Sequence, residues 1–270
     1  MNIFAVVNQK GGVGKTTTSV NLAACLSRMH RRVLLIDLDA QGNATMGCGV
    51  DKATLEASIY DVLILDRPIA EAVIDGAAGL KVLGANTDLT GAEIDLFEMA
   101  GREYRLKSAL TAVSNQFDYV FIDCPPALNL LTINALTAAS GLIIPMQCEY
   151  YALEGLSALV ETIQRVSGQL NPDLAIEGIV RTMFDGRNSL TKDVSAQLQT
   201  YFGEQLYRTV IPRNVRLAEA PSHGLPIVEY DPKSAGGRAY LALAGEMVRR
   251  QTATMNPSSA ESPAPSPAME

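Results

Sequence analysis

The residues "GGVGKTT" (11–17) lie between a short apolar run and a helix-like run, and this order constrains the fold more than any other feature. The run "IFAVV" (3–7) predicts a buried strand, and "TTSVNLAACLSRM" repeats apolar residues at helical spacing. A strand, a glycine-rich loop and a helix in this order let backbone N–H groups close around phosphate oxygens at a helix N-terminus. We therefore expect a phosphate-binding loop at the edge of a parallel sheet.

The side chains of this loop predict a role for each. Lys15 is expected to reach the β- and γ-phosphates, Thr16 to ligate Mg²⁺ through its hydroxyl, and Thr17 to touch the next phosphate. The pattern G-x-x-x-x-G-K-[ST] would place glycine at position 9, where this chain has Gln9, and the chain adds a second lysine, Lys10. The alternative is a glycine-rich turn with an incidental lysine, which the agreement of strand, loop and helix disfavours. The predicted nucleotide site also includes Gly11, Gly12, Val13 and Gly14.

Three aspartates end apolar runs. Asp37 and Asp39 lie in "LLIDLDAQGNAT", and Asp123 lies in "VFIDCPP". The carboxyl ends of parallel strands form the edge where ligands bind in open α/β sheets. We predict that Asp37 and Asp123 help Thr16 to hold the metal and that Asp39 orients or deprotonates a water. The alternative for such carboxylates is a helix cap or a turn.

Short apolar runs alternate with helical patterns along most of the chain. The predicted fold is therefore α/β, with a mainly parallel twisted sheet and helices on both faces. The predicted strands are residues 3–7, 32–39, 80–86, 119–126, 141–147, 176–184 and 206–212, and the clearest helices are 152–167, 190–201 and 235–250.

Composition bounds the remaining possibilities. The 270 residues suffice for one large domain or two small ones, and four scattered cysteines without a C-x-x-C pair indicate reduced thiols rather than zinc or a disulfide framework. The formal charge of -7 alone disfavours nucleic acid as a partner, but binding needs only a local basic patch. We see no secretory leader and no apolar run of about 20 residues. Residues 1–250 are expected to form the domain, and 251–270, rich in Pro, Ser and Ala, a disordered tail.

Four segments together resemble the ParA/Soj family of chromosome- and plasmid-partitioning ATPases: "KGGVGKTTTSVNLA", "LLIDLDAQGNAT", "FIDCPP" and "IPRNVRLAEAPSHGLPI". This is the deviant Walker A class of P-loop NTPases, to which MinD and the nitrogenase iron protein also belong. The resemblance covers about residues 1–250. It implies a Mg²⁺-dependent ATPase with ATP and Mg²⁺ as cofactors.

The resemblance also implies how the two lysines differ. Lys10 is expected to cross a dimer interface and contact the phosphates of ATP held by the partner, so that the ATP state is a homodimer. Gly14 is the small residue that lets the two subunits pack closely. Asp39 is expected to position the attacking water. The first switch loop would comprise Gln41, Gly42 and Asn43, the second would contain Asp123, and the adenine would lie near Met183 and Pro212.

Relatives of this type bind double-stranded DNA without sequence preference, and a ParB-like centromere-binding protein stimulates hydrolysis. The resemblance favours Arg187, Arg216 and Lys233 as DNA contacts, with Arg213 as an alternative nucleotide ligand; scattered solvated charge is the other interpretation.

The expected protein is cytoplasmic and nucleoid-associated, without membrane binding and without an extra N-terminal DNA-reading domain. Cys124 is read as a buried small residue rather than a cluster ligand. The alternative functions are a ParA-like ATPase that positions a non-DNA cargo, such as a chemoreceptor or cellulose-synthesis complex, and a regulatory binding protein with negligible turnover.

Overall fold

A single sheet of eight strands organises the computed structural model, which describes residues 1–255. The strands are β1 (Asn2–Val6), β2 (Val33–Asp37), β3 (Val73–Asp75), β4 (Lys81–Leu83), β5 (Tyr119–Asp123), β6 (Gly141–Gln147), β7 (Ala175–Phe184) and β8 (Leu206–Pro212). The strand order is β3-β4-β2-β5-β1-β6-β7-β8, and every pairing is parallel except that of β3 with β4.

The central strands bring the predicted acidic residues together. All residues of β2 and β5 are buried, as expected of strands covered on both faces. Their parallel register runs from Val33 opposite Tyr119 to Asp37 opposite Asp123. Strand β1 pairs with β5 on the other side, with Val6 opposite Asp123. The phosphate loop that follows β1 therefore emerges beside both aspartates.

Helices cover both faces of the sheet. The helices are α1 (Lys15–Arg28), α2 (Asn43–Gly47), α3 (Ile59–Ile64), α4 (Ile69–Ala72), α5 (Ala92–Phe97), α6 (Arg105–Thr111), α7 (Leu130–Ala138), α8 (Ala152–Gln169), α9 (Ser189–Phe202), α10 (Val215–Glu219), α11 (Ile227–Tyr230) and α12 (Ala235–Met255). One core packs β-strand side chains such as Ile122 against α3–α9, and the other packs side chains such as Phe121 against α1, α2 and α10–α12. The predicted fold class is confirmed.

Two details differ from the sequence prediction. Strand β3 was not predicted, because it has only three residues, partly exposed, and pairs antiparallel at the sheet edge. Helix α12 continues to Met255, five residues past the predicted end at Arg250, so the first residues of the predicted tail are helical. The rest of that tail, residues 256–270, lies outside the described residues. Across residues 1–255, every helix is too short or too polar to cross a bilayer.

Candidate active site

The phosphate loop joins β1 to α1 in a conformation that depends on glycine. Gly14 caps the N-terminus of α1 with φ 89° and ψ 30°, a left-handed conformation that side-chain-bearing residues rarely adopt. The preceding residue, Val13, is buried, and its carbonyl accepts a hydrogen bond from Thr182 Oγ1 at 2.7 Å. The loop is therefore fixed to β7 on one side and opens directly into a helix N-terminus, as phosphate binding requires.

The side chain of Lys15 lies against the phosphate loop that precedes it. Its side chain is buried, and Nζ donates to the carbonyl oxygen of Lys10 at 3.3 Å. Burial lowers the pKa of Lys15, while the charges of Asp123 and Asp39 act to raise it. The ammonium group is thus enclosed by the loop and faces two of the predicted carboxylates.

Asp123 binds two hydroxyls of α1. Its carboxylate accepts hydrogen bonds from Thr16 Oγ1 at 2.7 Å and from Ser19 Oγ at 2.8 Å. Burial raises the pKa of Asp123, and the neighbouring charge of Asp37 raises it further. A hydroxyl in contact with a buried carboxylate beside a phosphate loop is an oxygen donor set that suits Mg²⁺. The residues present therefore fit the implied metal.

Asp37 is held differently. It is fully buried, and its two oxygens accept hydrogen bonds from Thr45 N and Oγ1, both at 2.8 Å, and from Asp39 N at 3.1 Å. Burial raises the pKa of Asp37, and the hydrogen bonds from Thr45 oppose that shift. These hydrogen bonds fix the loop after β2 around Asp37, and the predicted role of Asp37 beside the metal stays a prediction.

Asp39 lies at the start of the predicted first switch loop. It is partly exposed, and Oδ1 accepts a hydrogen bond from Gln41 N at 2.9 Å. Gly42 follows at φ 62°, where a Cβ would lie 2.7 Å from the carbonyl oxygen of Ala85, so the turn into α2 at Asn43 requires glycine. The Asp39 carboxylate is close enough to the phosphate loop for its charge to raise the pKa of Lys15.

Lys10 points away from the loop. Its Nζ forms an ion pair with Glu149 Oε2 at 2.5 Å, and both side chains are half exposed. Lys15 is inside the loop and Lys10 is outside it. The two lysines therefore have different surroundings in this chain, as the prediction of separate roles requires.

An apolar cavity of about 180 Å³ lies beside the loop. Met183 and Pro212, the predicted adenine contacts, line it together with Gly14, Thr17 and Arg213. Its other lining residues are Thr182, Ile211, Asn214, Leu217, Ala218 and Tyr240. A small apolar cavity next to a phosphate loop fits a planar base.

The predicted DNA contacts differ in their pairing. Arg187 forms a two-pronged ion pair with Asp185, with Nη2–Oδ2 at 2.8 Å and Nε–Oδ1 at 2.9 Å. Arg216 contacts Glu219 at 2.8 Å and Asp231 at 3.6 Å. Lys233 is exposed and, as far as residues 1–255 go, lacks a carboxylate partner. All three lie on segments that follow β7 and β8 at the same edge of the sheet.

Several supporting residues were not predicted. Ser19 lies three residues after Thr16 on α1, so helical spacing could have paired it with Thr16. Thr45 and Gln147, whose Nε2 donates to the carbonyl of Gly12 at 3.1 Å, carry no local sequence signal. The ion pair between Glu149 and Lys10 also has no local sequence signal, because 139 residues separate the two. Cys124 is buried, as predicted.

Comparison with known proteins decides the family. The family model described as "AAA domain" matches residues 1–176. The sporulation initiation inhibitor protein Soj of Bacillus subtilis is 54% identical over 246 residues, which cover 91% of this chain and 97% of the relative. The chromosome partitioning protein ParA of Caulobacter vibrioides is 49% identical over 254 residues, or 93% and 95% of the two chains. The chain belongs to the ParA/Soj family.

Solved structures agree with this assignment. The cobyrinic acid a,c-diamide synthase from Mycobacterium smegmatis, solved with a bound ATP analog and magnesium, has a TM-score of 0.83 and 38% identity. The match covers 94% of this ParA/Soj chain and 97% of that structure. The predicted family, P-loop NTPase fold and ATPase class of this ParA/Soj protein are confirmed.

Proposed function

We propose that this ParA/Soj protein is an ATP-controlled DNA-partitioning switch. Two chains sandwich ATP, the dimer binds double-stranded DNA without sequence preference, and hydrolysis stimulated by a ParB-like protein releases it. ATP and Mg²⁺ are the cofactors, as predicted. The observation that carries the proposal is the separation of the two loop lysines, with Lys15 buried over its own loop and Lys10 exposed outside it.

Within one chain, the loop and its neighbours hold the nucleotide. Backbone N–H groups of residues 11–17 and the buried ammonium of Lys15 compensate the phosphate charge. Thr16, Asp37 and Asp123 would hold Mg²⁺, which when bound would neutralise phosphate charge. The base lies in the apolar cavity beside Met183 and Pro212.

The second lysine explains why ATP would control dimerisation. Lys10 extends from the loop with its ammonium group half exposed, so a second chain could bring it to the phosphates of the first. A lysine supplied in trans offsets charge on the transferred phosphoryl group as an arginine finger does. Loss of the γ-phosphate removes part of that attraction, and the dimer then separates.

Asp39 is the proposed water-positioning residue. Its backbone is fixed by the hydrogen bond from Gly42 N at 2.8 Å, and Oδ1 is oriented by Gln41 N. A carboxylate with one oxygen oriented and the other free can accept a hydrogen bond from an attacking water.

DNA binding is proposed to use Arg187, Arg216 and Lys233. Non-specific binding depends on a few lysine and arginine contacts with phosphates and weakens with salt. Lys233 is available directly, whereas Arg187 and Arg216 must exchange carboxylate partners for phosphates. A two-fold dimer would present each contact twice. We propose a cytoplasmic, nucleoid-associated location and no membrane partner.

The paired state of the two arginines also supports a second candidate function. If Arg187 and Arg216 keep their carboxylate partners, this chain of net charge -7 presents little positive charge to DNA. The same ATP switch would then position a cargo other than DNA, such as a chemoreceptor or cellulose-synthesis complex.

Binding to a random-sequence DNA duplex across a salt series separates the two functions. The partitioning switch predicts binding with ATP only, weakening steeply as salt rises. Lys233→Ala should weaken binding and lower the salt slope by about one unit. Lys107→Ala, the same charge change at an exposed site on α6, is the control. Absence of binding in the ATP, ADP and nucleotide-free states would reject the DNA function and favour the cargo function.

A further inference from the structure

We propose that Glu149 is a positioning residue that holds Lys10 within its own chain and thereby sets the ATP concentration at which the protein dimerises. The inference rests on the proposed role of Lys10 in trans. It adds a residue that opposes the ATP dimer, where the proposed function describes only residues that favour it.

The ion pair is built on two anchored segments. Lys10 N donates to Asn8 Oδ1 at 3.0 Å, and Asn8 Nδ2 donates to the carbonyl of Pro145 in β6 at 2.8 Å. Glu149 follows the end of β6, and its backbone carbonyl accepts from Ala152 N at 3.0 Å as α8 begins. Because both partners are fixed to β6, the 2.5 Å contact between them is formed by the fold and needs little further ordering.

This pair competes with the contact that the dimer needs. Lys10 carries one charge, and its Nζ must leave Glu149 Oε2 to reach phosphates held by a second chain. Once released, Glu149 is an exposed carboxylate near an incoming polyphosphate, and like charges repel. Glu149 therefore opposes dimerisation both by holding the lysine and by repelling the nucleotide, and ADP offers less charge than ATP to overcome it.

The turn that carries Glu149 also carries an uncovered aromatic pair. Tyr150 and Tyr151 are 75% and 70% exposed, and their rings pack edge to face with centroids 5.0 Å apart. Exposed aromatic side chains next to a charge that must cross an interface suit the contact face with a second copy of this chain. Packing of that copy against the tyrosines would bring its nucleotide to Lys10.

The ion pair between Lys10 and Glu149 is weak enough to raise the ATP concentration needed for dimerisation without preventing dimerisation. An ion pair between exposed side chains shifts an equilibrium by at most about fivefold, and two such pairs open in each dimer. The combined effect, up to about 25-fold, is small enough for the polyphosphate of ATP to overcome.

The test is a titration of the full chain with a non-hydrolysable ATP analogue and Mg²⁺, with the dimer fraction measured by analytical ultracentrifugation. Glu149→Gln should lower the half-maximal analogue concentration by about three- to tenfold. Glu149→Asp should return it toward the wild-type value, and Glu204→Gln, the same charge change at an exposed site before β8, should leave it unchanged. The gap between wild type and Glu149→Gln should narrow at high salt, because salt screens an exposed ion pair.

Three results overturn the inference in distinguishable ways. If Lys10→Ala cannot dimerise but Glu149→Gln titrates as wild type, the role of Glu149 is wrong and the role of Lys10 stands. If Glu149→Gln needs more analogue than wild type, Glu149 supports the dimer instead of opposing it. If Lys10→Ala dimerises normally, the proposed function fails and this inference fails with it. Glu149→Ala repeats the test with a second side chain should the glutamine variant fold poorly.

Discussion

Two lysines five residues apart have different surroundings in this chain, and the difference is physical. Lys15 is 8% exposed and lies against its own loop, whereas the side chain of Lys10 is 52% exposed and paired with Glu149. Under the proposed function, the buried ammonium of Lys15 binds phosphate held by its own chain, and the exposed ammonium of Lys10 binds phosphate held by a second chain.

Lys15→Ala should abolish tight nucleotide binding. Removing the enclosed ammonium leaves the phosphate charge compensated only by backbone N–H groups, so ATP affinity should fall by about 100-fold or more. Isothermal titration calorimetry with ATP and Mg²⁺ measures this directly. Lys10→Ala is the matched control and should keep ATP bound to monomers; equal losses in both variants would contradict the division of roles.

Asp39→Ala should slow ATP hydrolysis without preventing ATP binding. Loss of the water-orienting carboxylate should slow hydrolysis by about 10²- to 10⁴-fold while ATP binding, dimerisation and DNA binding persist. Phosphate release measured beside sedimentation of the ATP-bound protein gives both readouts. Normal turnover in this variant would show that another residue positions the water.

The C-terminal helix is tied to an edge strand by one buried carboxylate. Glu246 of α12 is 7% exposed and accepts hydrogen bonds from Arg208 N at 2.8 Å, from Thr209 N at 2.9 Å and from Thr209 Oγ1 at 2.7 Å. It also pairs with Arg250 at 2.7 Å. These contacts hold α12 against β8. The last residue of β8, Pro212, lines the apolar cavity beside the phosphate loop.

Glu246→Ala should therefore destabilise the fold. Removing the carboxylate takes away the acceptor of two backbone N–H groups of β8 and one of several contacts of the Arg250 guanidinium, at a cost of about 1–3 kcal/mol. Urea unfolding followed by circular dichroism measures the free energy of unfolding. Glu204→Ala, at an exposed position before β8, should change it little, and an equal effect of the two substitutions would rule out this account of the helix.

The starts of β2 and β5 are joined by an ion pair that predicts an acid-dependent loss of stability. Hydrogen bonds from the Arg32 side chain and from Arg32 N lower the pKa of Asp118 to about 2. A carboxyl whose pKa is lowered on folding stabilises the fold above its unfolded pKa of about 3.9, and that stabilisation is lost as the pH falls toward 2. Because the pair is partly exposed, solvent screening makes the effect modest.

Asp118→Asn should thus lower the midpoint of urea unfolding at pH 6 and have a much smaller effect near pH 2. The comparison of wild type and variant at the two pH values isolates this carboxyl from the others that titrate with acid. An equal difference at both pH values would contradict the assigned pKa direction.

The sequence predicted most elements because their signals are local. Seven apolar runs became strands, since continuous apolar segments between helical patterns suit strands buried on both faces. Strand β3 was not predicted because its three residues are too few to show an alternation of apolar and polar side chains. The loop lysine, Thr16 and Asp123 were predicted from their order along the chain, whereas the bonds to Thr45 and Glu149 depend on distant segments that only the fold brings together.

Under the proposed function, the assembled protein would depend on contacts that one chain does not contain. Lys10 and the tyrosine pair are exposed, and the proposal places them on the surface that a second copy covers. If the account is correct, a complete catalytic site needs Asp39 from one chain and Lys10 from the other. Composite sites of this kind can be tested by mixing two inactive chains.

The most direct measurement is the ATPase rate of a mixture of Lys10→Ala and Asp39→Ala chains with ATP and Mg²⁺. Each variant alone should be inactive. In a mixed dimer, however, the Lys10→Ala chain keeps its own Asp39 and receives Lys10 from its partner. We expect the mixture to recover hydrolysis, and a mixture of Asp39→Ala with the double variant to remain inactive. If the first mixture also stays inactive, Lys10 does not act across the dimer and the ATP-sandwich account is wrong.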